Sequence, residues 1–328
     1  MKDEVTFSMP AQQGRYFSFF ILLLLLGCGG SEAPSEKPRP VRIGYPPLVA
    51  NAPLYVAMES DLFGAEGLMV EAVKVPSSND SIEALLRGDI DIAVAPPFNL
   101  IFAAELRAPG RLRVLTVNDE TDTAFYFESL IVPTASPIKE LADLRGKRVG
   151  CFPGSFAAGM LRAIMASIGI GGDAFTPAPM DVSLHIPSLE AGQIDALLAY
   201  EPTATIALRS GKFRLLEAAP FPRRIMDPFP NSAITMSREF ARNRPEDAAK
   251  AERALLAAVD AITRNPESCE EAIAKWTSVD RSIIHGIPQQ RFRRATPDLV
   301  EPLQEIAKLY CVWGVLDSPP DIYALIKP

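Results

Sequence analysis

The chain has few of the residues on which most enzymatic and metal sites depend. Its 328 residues include only two histidines and two tryptophans, and the histidines, His185 and His285, stand apart on segments without a catalytic pattern. No Gly-x-Ser-x-Gly, His-Glu-x-x-His or phosphate-loop sequence is present. The sequence therefore predicts a protein that is not an enzyme, with no catalytic residue, no metal and no cofactor.

Basic residues and cysteines are also scarce. The 33 Lys and Arg are outnumbered by 40 Asp and Glu, which gives a formal net charge of −7, and no long basic run exists, so nucleic-acid binding is not expected. The four cysteines, Cys28, Cys151, Cys269 and Cys311, have no zinc-site spacing. If Cys28 is lipidated, at most one disulfide is left, and the sequence leaves open whether Cys269 and Cys311 form it.

The longest apolar run, residues 16–26, is too short to cross about 30 Å of hydrocarbon as a helix. It ends at Leu25-Leu26-Gly27-Cys28, which resembles the cleavage site of a bacterial lipoprotein signal. The resemblance implies removal of residues 1–27 as a signal peptide and acylation of Cys28, for example by palmitate, which would anchor the protein in the cell envelope on the periplasmic side of a membrane. An ordinary signal peptide or an uncleaved anchor is the alternative. Residues 28–40, rich in Gly, Ser, Glu and Pro, are predicted to form a flexible tether.

One phrase occurs twice in the remainder of the chain. Residues 83–95 read Glu-Ala-Leu-Leu-Arg-Gly-Asp-Ile-Asp-Ile-Ala-Val-Ala, and residues 188–200 read Ser-Leu-Glu-Ala-Gly-Gln-Ile-Asp-Ala-Leu-Leu-Ala-Tyr. Each copy predicts a helix that ends at a glycine, Gly88 or Gly192, and leads into a strand buried on both faces. The copies lie about one domain length apart, so we expect two α/β lobes of similar design around a shared cleft.

Alternating strands and helices are predicted in both lobes. Strands are expected over residues 41–45, 68–75, 90–95, 112–117, 129–132, 147–152, 194–200 and 231–236, with Pro96 ending the third. Helices are expected over residues 52–62, 77–87, 156–168, 182–191, 202–209, 245–263, 267–276, 296–312 and 320–326. The β-α-β-α-β order predicts a parallel sheet in the first lobe, and the strand at 231–236 is interpreted as the return to it. The C-terminal helices are expected to buttress the lobes.

Several short segments occur in a characteristic order and spacing: residues 41–45, Ala-Pro-Leu-Tyr-Val-Ala at 52–57, Leu-Phe at 62–63 with Glu-Gly-Leu at 66–68, the phrase at 88–91, Leu-Arg-Gly-Lys-Arg-Val-Gly at 144–150, and Tyr-Glu-Pro at 200–202. Together they resemble the solute-binding components of ABC importers for sulfonates, taurine, nitrate and thiamine-pyrimidine precursors. The resemblance covers residues 41–276. It implies an α/β, type II periplasmic-binding-protein fold, with two lobes that are joined by two hinge crossings and close on one small ligand. Lobe 1 would then comprise residues 41–128 and 232–328, and lobe 2 residues 129–231.

Ligands of open parallel sheets bind beyond the carboxyl ends of the strands, where loops supply polar groups. The loops at these ends contain the candidate ligand-binding residues Tyr45, Asn51, Ala52, Phe98, Asn99, Asn118 with its neighbour Asp119, Gly154, Ser155, Phe156, Tyr200 and Glu201. Gly154 and Ser155 open a helix, and either hold an oxyanion with free backbone N–H groups or only cap the helix. Glu201 either receives a ligand amine or caps the next helix, and the aromatic residues either line the cleft or pack in the core.

The sequence as a whole favours a lipid-anchored, monomeric binding protein that captures a small organic solute and presents it to an ABC permease and its ATPase. Ligand contacts from both lobes would favour the closed state over the open one. Two alternatives are an enzyme of related fold, either a pyrimidine-precursor synthase or a menaquinone-pathway enzyme, and a sensory lipoprotein that never delivers solute. The ligand stays open: an oxyanion suits Gly154 and Ser155 and is slightly favoured, whereas an aromatic heterocycle suits Tyr45, Phe98 and Tyr200.

Overall fold

Two mixed sheets form the framework of the protein. The computed structural model describes residues 39–288 and 290–327, without the side chain of Ser155. The strands are β1 Val41–Tyr45, β2 Val70–Lys74, β3 Ile92–Pro97, β4 Leu112–Thr121, β5 Glu128–Pro133, β6 Arg148–Cys151, β7 Thr176–Pro179, β8 Ala196–Tyr200, β9 Phe213–Ala218, β10 Phe229–Ser237 and β11 Arg291–Arg294. The first sheet has the strand order β11-β4-β10-β3-β1-β2, and the second has the order β7-β6-β8-β5-β9. The predicted α/β class is confirmed. The predicted signal peptide, Cys28 and the tether up to residue 38 lie outside the described residues.

The two sheets share one plan. In the first, β2, β1 and β3 are parallel neighbours, β10 pairs antiparallel with β3, and β4 follows on its other side. In the second, β7, β6 and β8 are parallel, and β5 lies antiparallel between β8 and β9. The antiparallel strand of each sheet is the one that the chain enters directly after leaving the other sheet. Two crossings therefore join the sheets, while the lobe boundaries 41–128, 129–231 and 232–328 stay a prediction.

Fourteen α-helices in the described part of the chain cover the sheets. They are α1 Ala52–Glu59, α2 Leu62–Ala65, α3 Ser78–Arg87, α4 Phe98–Arg107, α5 Ser155–Ala166, α6 Val182–Glu190, α7 Thr203–Arg209, α8 Pro220–Arg224, α9 Arg238–Asn243, α10 Pro245–Arg264, α11 Glu270–Trp276, α12 Arg281–Ile284, α13 Val300–Val312 and α14 Ile322–Ile326. Short 3₁₀ turns cover Val49–Asn51, Leu141–Leu144, Pro266–Cys269 and Pro297–Leu299. None of the described helices is both long and apolar enough to cross a bilayer.

Three predictions about local structure were wrong. β3 continues through Pro97, because its pairing with β10 extends to the pair Ser232–Pro97, beside a shift in strand register of the kind that tolerates proline, while its pairing with β1 already ends at Ala93. The helix expected over residues 52–62 ends at Glu59, and Asp61 then adopts a left-handed conformation with φ of 50°. The first sheet was predicted to be parallel but is mixed, because the returning strand β10 lies antiparallel between β3 and β4.

The repeated phrase produces the same local structure in both sheets. Gly88 and Gly192 follow helices α3 and α6 with φ of 77° and 67°, as predicted. The carboxylate of Asp91 then accepts the backbone N–H of Arg42 at 2.8 Å, and that of Asp195 accepts the N–H of Arg148 at 2.8 Å. Each aspartate also donates its own N–H to the carbonyl of the same arginine at 2.8 Å. This two-way contact holds β3 against β1 and β8 against β6 at the amino-terminal ends of the strands.

The C-terminal helices support both sheets, as expected. Helix α10 packs its buried face, which includes Leu255 and Val259, on the core of the first sheet around Leu54 and Tyr55. Helix α13 lies between α4 and α5, where the ring of Tyr310 is 6.0 Å from that of Phe102 and 5.6 Å from that of Phe156. One apolar core therefore extends from the first sheet to the second. Cys151, Cys269 and Cys311 are free thiols, so Cys269 and Cys311 do not pair.

We expect Asp91→Ala to lower the free energy of unfolding by about 1–3 kcal/mol, because the substitution leaves the backbone N–H of Arg42 without its acceptor. Asp195→Ala is expected to have a similar effect through Arg148. The measurement is equilibrium unfolding in urea. Asp89→Ala, two residues away, removes an exposed ion pair with Arg87 and should change stability by no more than about 0.5 kcal/mol. Equal losses for Asp91→Ala and Asp89→Ala would contradict the structural role of Asp91.

Candidate functional site

A cavity of about 310 Å³ lies where the carboxyl ends of strands from both sheets meet. The first sheet and its loops contribute Leu48, Val49, Ala50, Ser78, Asn79, Ala95, Pro97, Asn99, Leu100, Asp119, Asn231, Ser232 and Gln290. The second sheet and its adjoining segments contribute Phe127, Phe152, Pro153, Phe156, Ala157, Tyr200 and Glu201. The volume is at the lower end of the range for small-molecule sites, so the cavity suits one small ligand.

The charge of the cavity wall comes from two carboxyl groups. Asp119 and Glu201 line the cavity, and the described lining contains neither lysine nor arginine. The other polar groups of the lining are uncharged hydroxyls and amides, such as those of Ser78, Asn99 and Asn231. The wall is therefore rich in hydrogen-bond acceptors and has no described cation that would pair with an anionic ligand.

Asp119 occupies the end of β4 in an uncommon backbone conformation. Its φ is 50°, a left-handed value that a non-glycine residue adopts at a cost of order 1 kcal/mol. The side chain is buried, and its Oδ2 accepts a hydrogen bond from Ser232 Oγ at 3.2 Å. Its Oδ1 has no partner among the described residues. Burial raises the pKa of Asp119 to about 7, although the Ser232 hydroxyl opposes the rise.

Glu201 contacts the start of a helix and also belongs to the cavity lining, while its predicted contact with a ligand stays a prediction. Its Oε2 accepts the backbone N–H of Thr205 at 3.1 Å in the first turn of α7, and its side chain also lines the cavity. Burial raises the pKa of Glu201, and the hydrogen bonds from Thr205 oppose this rise. The carboxyl is therefore fixed by the helix and presented to the cavity at the same time.

Aromatic rings form the side of the cavity that belongs to the second sheet. The ring of Tyr200 stacks on Phe152 at 4.6 Å between centroids and lies 5.0 Å from Phe127. The hydroxyl of Tyr200 is buried and has no partner among the described residues. Burial holds the pKa of Tyr200 well above its usual range, so the hydroxyl is a neutral donor and acceptor. Such a wall fits a flat or apolar ligand group with a polar tip.

Five of the candidate residues named from the sequence line the cavity: Asn99, Asp119, Phe156, Tyr200 and Glu201. Four others, Tyr45, Asn51, Phe98 and Asn118, are buried and do not belong to its lining. Tyr45 contacts Tyr55 and Trp276, and Phe98 contacts Phe102. The side-chain amide of Asn51 donates to the carbonyl of Pro46, and Asn118 accepts from Thr116 Oγ1 at 2.7 Å. These contacts are structural. Tyr45 and Phe98 pack in the core, which was the alternative to lining the cleft.

The remaining predicted residues, Ala52, Gly154 and Ser155, are not part of the described lining of the cavity. Ala52 is buried and lines a separate cavity of about 50 Å³. Gly154 is exposed with φ of 94°, and the backbone of Ser155 begins α5. The helix N-terminus predicted for an oxyanion therefore lies beside Pro153 and Phe156, but Gly154 itself is not part of the wall.

Sequence reasoning missed several of the residues that line the cavity. Ser232 and Asn231 belong to the returning strand β10, which was predicted only as a connection between lobes. Asp119 was expected at the cleft together with Asn118, but only Asp119 lines the cavity, since adjacent strand residues point to opposite faces of a sheet. The apolar run before Asn118 predicts a strand that ends at Val117, whereas β4 continues to Thr121 and includes Asp119. No sequence signal distinguished Ser232 from the other residues of β10.

Glu128, at the start of the first crossing, is a further buried carboxyl close to this site. Its two oxygens accept the backbone N–H groups of Phe127 and Phe221, each at 3.3 Å. Burial raises its pKa to about 8, the hydrogen bonds lower it, and the charge of Asp119 adds to the rise. The neighbouring carboxyl groups of Asp119 and Glu128 therefore keep their protons at pH values where exposed carboxyl groups are ionised.

Comparison with known proteins places this architecture among periplasmic binding proteins. The aliphatic sulphonate binding protein SsuA of Escherichia coli superposes with a TM-score of 0.73 at 20% identity, over 89% of this chain and 93% of that one. The nitrate-binding protein NrtA of Synechocystis PCC 6803 gives a TM-score of 0.67 at 16% identity, over 87% and 84%. A Brucella abortus protein provisionally named as a binding protein is 24% identical over 296 residues, 86% of this chain and 88% of its own.

The fold is therefore that of the periplasmic binding proteins, as the sequence predicted. The family model described as NMT1/THI5 like matches residues 49–269, which include both copies of the repeated phrase and most of the cavity lining. The chain belongs to the NMT1/THI5-like family.

We expect the free energy of unfolding to fall as the pH rises from about 5 to about 8, because Asp119 and Glu128 keep protons in the folded protein after the unfolded chain has lost them at about pH 4. The stabilisation is fully present below the pKa of the unfolded chain. It declines as the pH rises above that value and is lost once the pH has passed the pKa of the folded state. In this range the free energy of unfolding falls by up to about 1.4 kcal/mol per pH unit for each group. Urea unfolding across this range measures it. Glu128→Gln should make the fall shallower, whereas the exposed Glu71→Gln should leave it unchanged. An unchanged slope in Glu128→Gln would contradict the prediction.

Proposed function

We propose that this protein is the solute-binding component of an ABC importer, and that it captures one small organic solute in the cavity between the two sheets. The observation that carries the proposal is a set of buried polar atoms at the cavity that lack partners among the described residues: Asn99 Oδ1, Asp119 Oδ1 and the hydroxyl of Tyr200. A buried polar atom without a hydrogen bond costs about 1–3 kcal/mol. A ligand that satisfies atoms from both sheets would regain this cost and hold the sheets together.

The proposed mechanism is closure of the two lobes about the crossings β5 and β10. A solute that touches Asp119 on the first sheet and Tyr200 on the second has more contacts in the closed state than in the open one. This difference in affinity shifts the population toward the closed form, which the permease would recognise. The solute is bound and released without conversion, in agreement with the binding proteins of the same fold.

The chemistry of the cavity also bears on the ligand class. An oxyanion was slightly favoured from the sequence, but the cavity wall is made of carboxyls, neutral hydroxyls and amides, and aromatic rings. Within the classes of solute that the family resemblance implies, these walls suit an aromatic heterocycle with N–H donors better than a free sulfonate or nitrate ion. We therefore propose the thiamine-pyrimidine precursors as the favoured class of ligand.

The proposed location is the periplasmic side of the cell envelope. Residues 1–27 would be removed as a signal peptide, and the thiol of Cys28 would be acylated, so that residues 28–40 tether the folded part to a membrane. The partners would be an ABC permease and its ATPase, with the binding protein acting as a monomer. Relatives that are periplasmic binding proteins support this location.

A thermal-shift screen of sulfonates, taurine, nitrate and pyrimidine precursors tests the proposal. A true ligand at about 100 times its Kd adds about 2.7 kcal/mol of stability, so it should raise the Tm clearly. Tyr200→Phe should weaken binding by roughly 2- to 10-fold, because it removes one hydrogen-bonding hydroxyl from the cavity. The matched control Tyr310→Phe removes a buried hydroxyl that also has no partner among the residues described by the structure but lies outside the cavity, and it should leave the affinity unchanged. No shift with any ligand, or chemical conversion of the bound ligand, would contradict the proposal.

Replacement of Cys28 tests the anchor independently. We expect Cys28→Ser to abolish lipid labelling and to move the protein from the membrane fraction to the soluble fraction, since the acylated sulfur is lost. The matched control is Cys311→Ser, which changes a free thiol in α13 and should stay with the membrane. Fractionation and labelling with a palmitate analogue measure both. Continued membrane association of an unlabelled Cys28→Ser protein would favour an uncleaved anchor instead.

A further inference from the structure

We propose that Asp119, positioned by Ser232, is the residue that selects the ligand: its Oδ1 receives an N–H donor group, so the cavity takes nitrogenous donor ligands and rejects free oxyanions. The inference rests on the proposed function and assigns its specificity to one side chain. Asp119 is 2% exposed, lines the cavity, and has one oxygen satisfied by Ser232 and one without a partner among the described residues.

The positioning of Asp119 depends on the pairing of β4 with β10. Ser232 pairs with Asn118 across these strands, which brings its hydroxyl to 3.2 Å from Asp119 Oδ2 and 3.3 Å from the carbonyl of Asn118. The left-handed backbone at Asp119 is retained although it is unfavourable for a non-glycine residue. The carboxyl is thus fixed by a neighbouring strand, and Oδ1 is the oxygen left for the ligand.

The surroundings of Oδ1 favour a donor that belongs to a flat group. Asn99 Oδ1 is a second buried acceptor without a partner among the described residues, and Glu201 supplies another carboxyl. The stacked rings of Phe152 and Tyr200 provide a wall for a planar ring. A sulfonate or nitrate placed here would lose its water and face carboxyl oxygens, whereas an amino or amidine group would gain charge-assisted hydrogen bonds.

No positively charged side chain among the described residues forms an ion pair with the carboxyl group of Asp119. Glu201 and Tyr200 line the same cavity, and Glu128 is close enough for the charges of the two carboxyls to interact. On the neighbouring strand β11, Arg291 pairs with Asp122 and Arg293 pairs with Glu120, each at 2.8 Å. These arginines are therefore occupied by other carboxylates.

This environment links the affinity for a cationic ligand to pH. Burial raises the pKa of Asp119 to about 7, so the empty site holds a proton at lower pH. A cationic donor stabilises the carboxylate and releases that proton when it binds. Affinity for such a ligand should therefore increase between about pH 6 and about pH 8.

Three probes with the same phenyl ring test the inference on the full chain: benzamidine, a cationic donor; benzamide, a neutral donor; and benzenesulfonate, an anion. Titration calorimetry and ligand-observed NMR should give the tightest binding for benzamidine, at least about tenfold tighter than for benzenesulfonate. Asp119→Asn should weaken benzamidine about tenfold or more and reduce its pH dependence. Ser232→Ala should weaken it by a few-fold, because Asp119 loses the hydroxyl that positions it.

The matched control is Glu105→Gln, which also converts a buried carboxyl to an amide but lies outside the cavity, in α4; it should leave all affinities unchanged. If circular dichroism shows that Asp119→Asn is unfolded, the inference is tested with Ser232→Ala and with the three probes in the wild-type protein. Stronger binding of benzenesulfonate, equal benzamidine affinity in Asp119→Asn, or no binding of any probe would overturn the inference. A solute from the thermal-shift screen that still binds, and loses affinity in Tyr200→Phe, would leave the proposed function standing.

Discussion

In each sheet an aspartate side chain accepts a backbone N–H group of the neighbouring strand, and both lobes of the architecture are built on this contact. Asp91 does so for Arg42, and Asp195 does so for Arg148, at the same distance and after the same glycine-ended helix. The carboxylate supplies an acceptor at the amino-terminal end of the strand, where the regular ladder has not yet begun. With strand register fixed there, the carboxyl ends of β3 and β8 meet at a defined place, and that place is the cavity.

Several energetically unfavourable groups lie at or beside the cavity. Asp119 is buried in a left-handed conformation, Glu128 is buried without a cation among its hydrogen-bond partners in the described residues, and the hydroxyl of Tyr200 has no partner in the same part of the chain. Each of these features opposes folding by itself, and the apolar core that α13 extends between the sheets compensates for it. Concentration of unfavourable groups at one cavity is typical of a binding site, where a ligand supplies the missing contacts.

Much of the fold could be predicted from the sequence because its signals are local. Helix ends at Gly88 and Gly192, the apolar runs of β3 and β8, and the amphipathic face of α10 all follow from residues close together in the chain. The site was predictable only in part. Glu201 and Tyr200 were found because a strand end and a proline mark their position, whereas Ser232 and Phe127 lie on crossing segments whose neighbours are far away in sequence.

The sequence by itself determined the α/β class, the twofold repetition of a helix, a glycine and a strand, and the short apolar run near the start of the chain. These features depend on periodicity and on the conformational preferences of single residues. Only the tertiary structure decided which polar groups share a cavity, that Asn118 turns into the core while Asp119 faces the site, and that no lysine or arginine belongs to the described wall. The reason is that a site is defined by distances between strands, and strand order and register arise from packing of the whole chain.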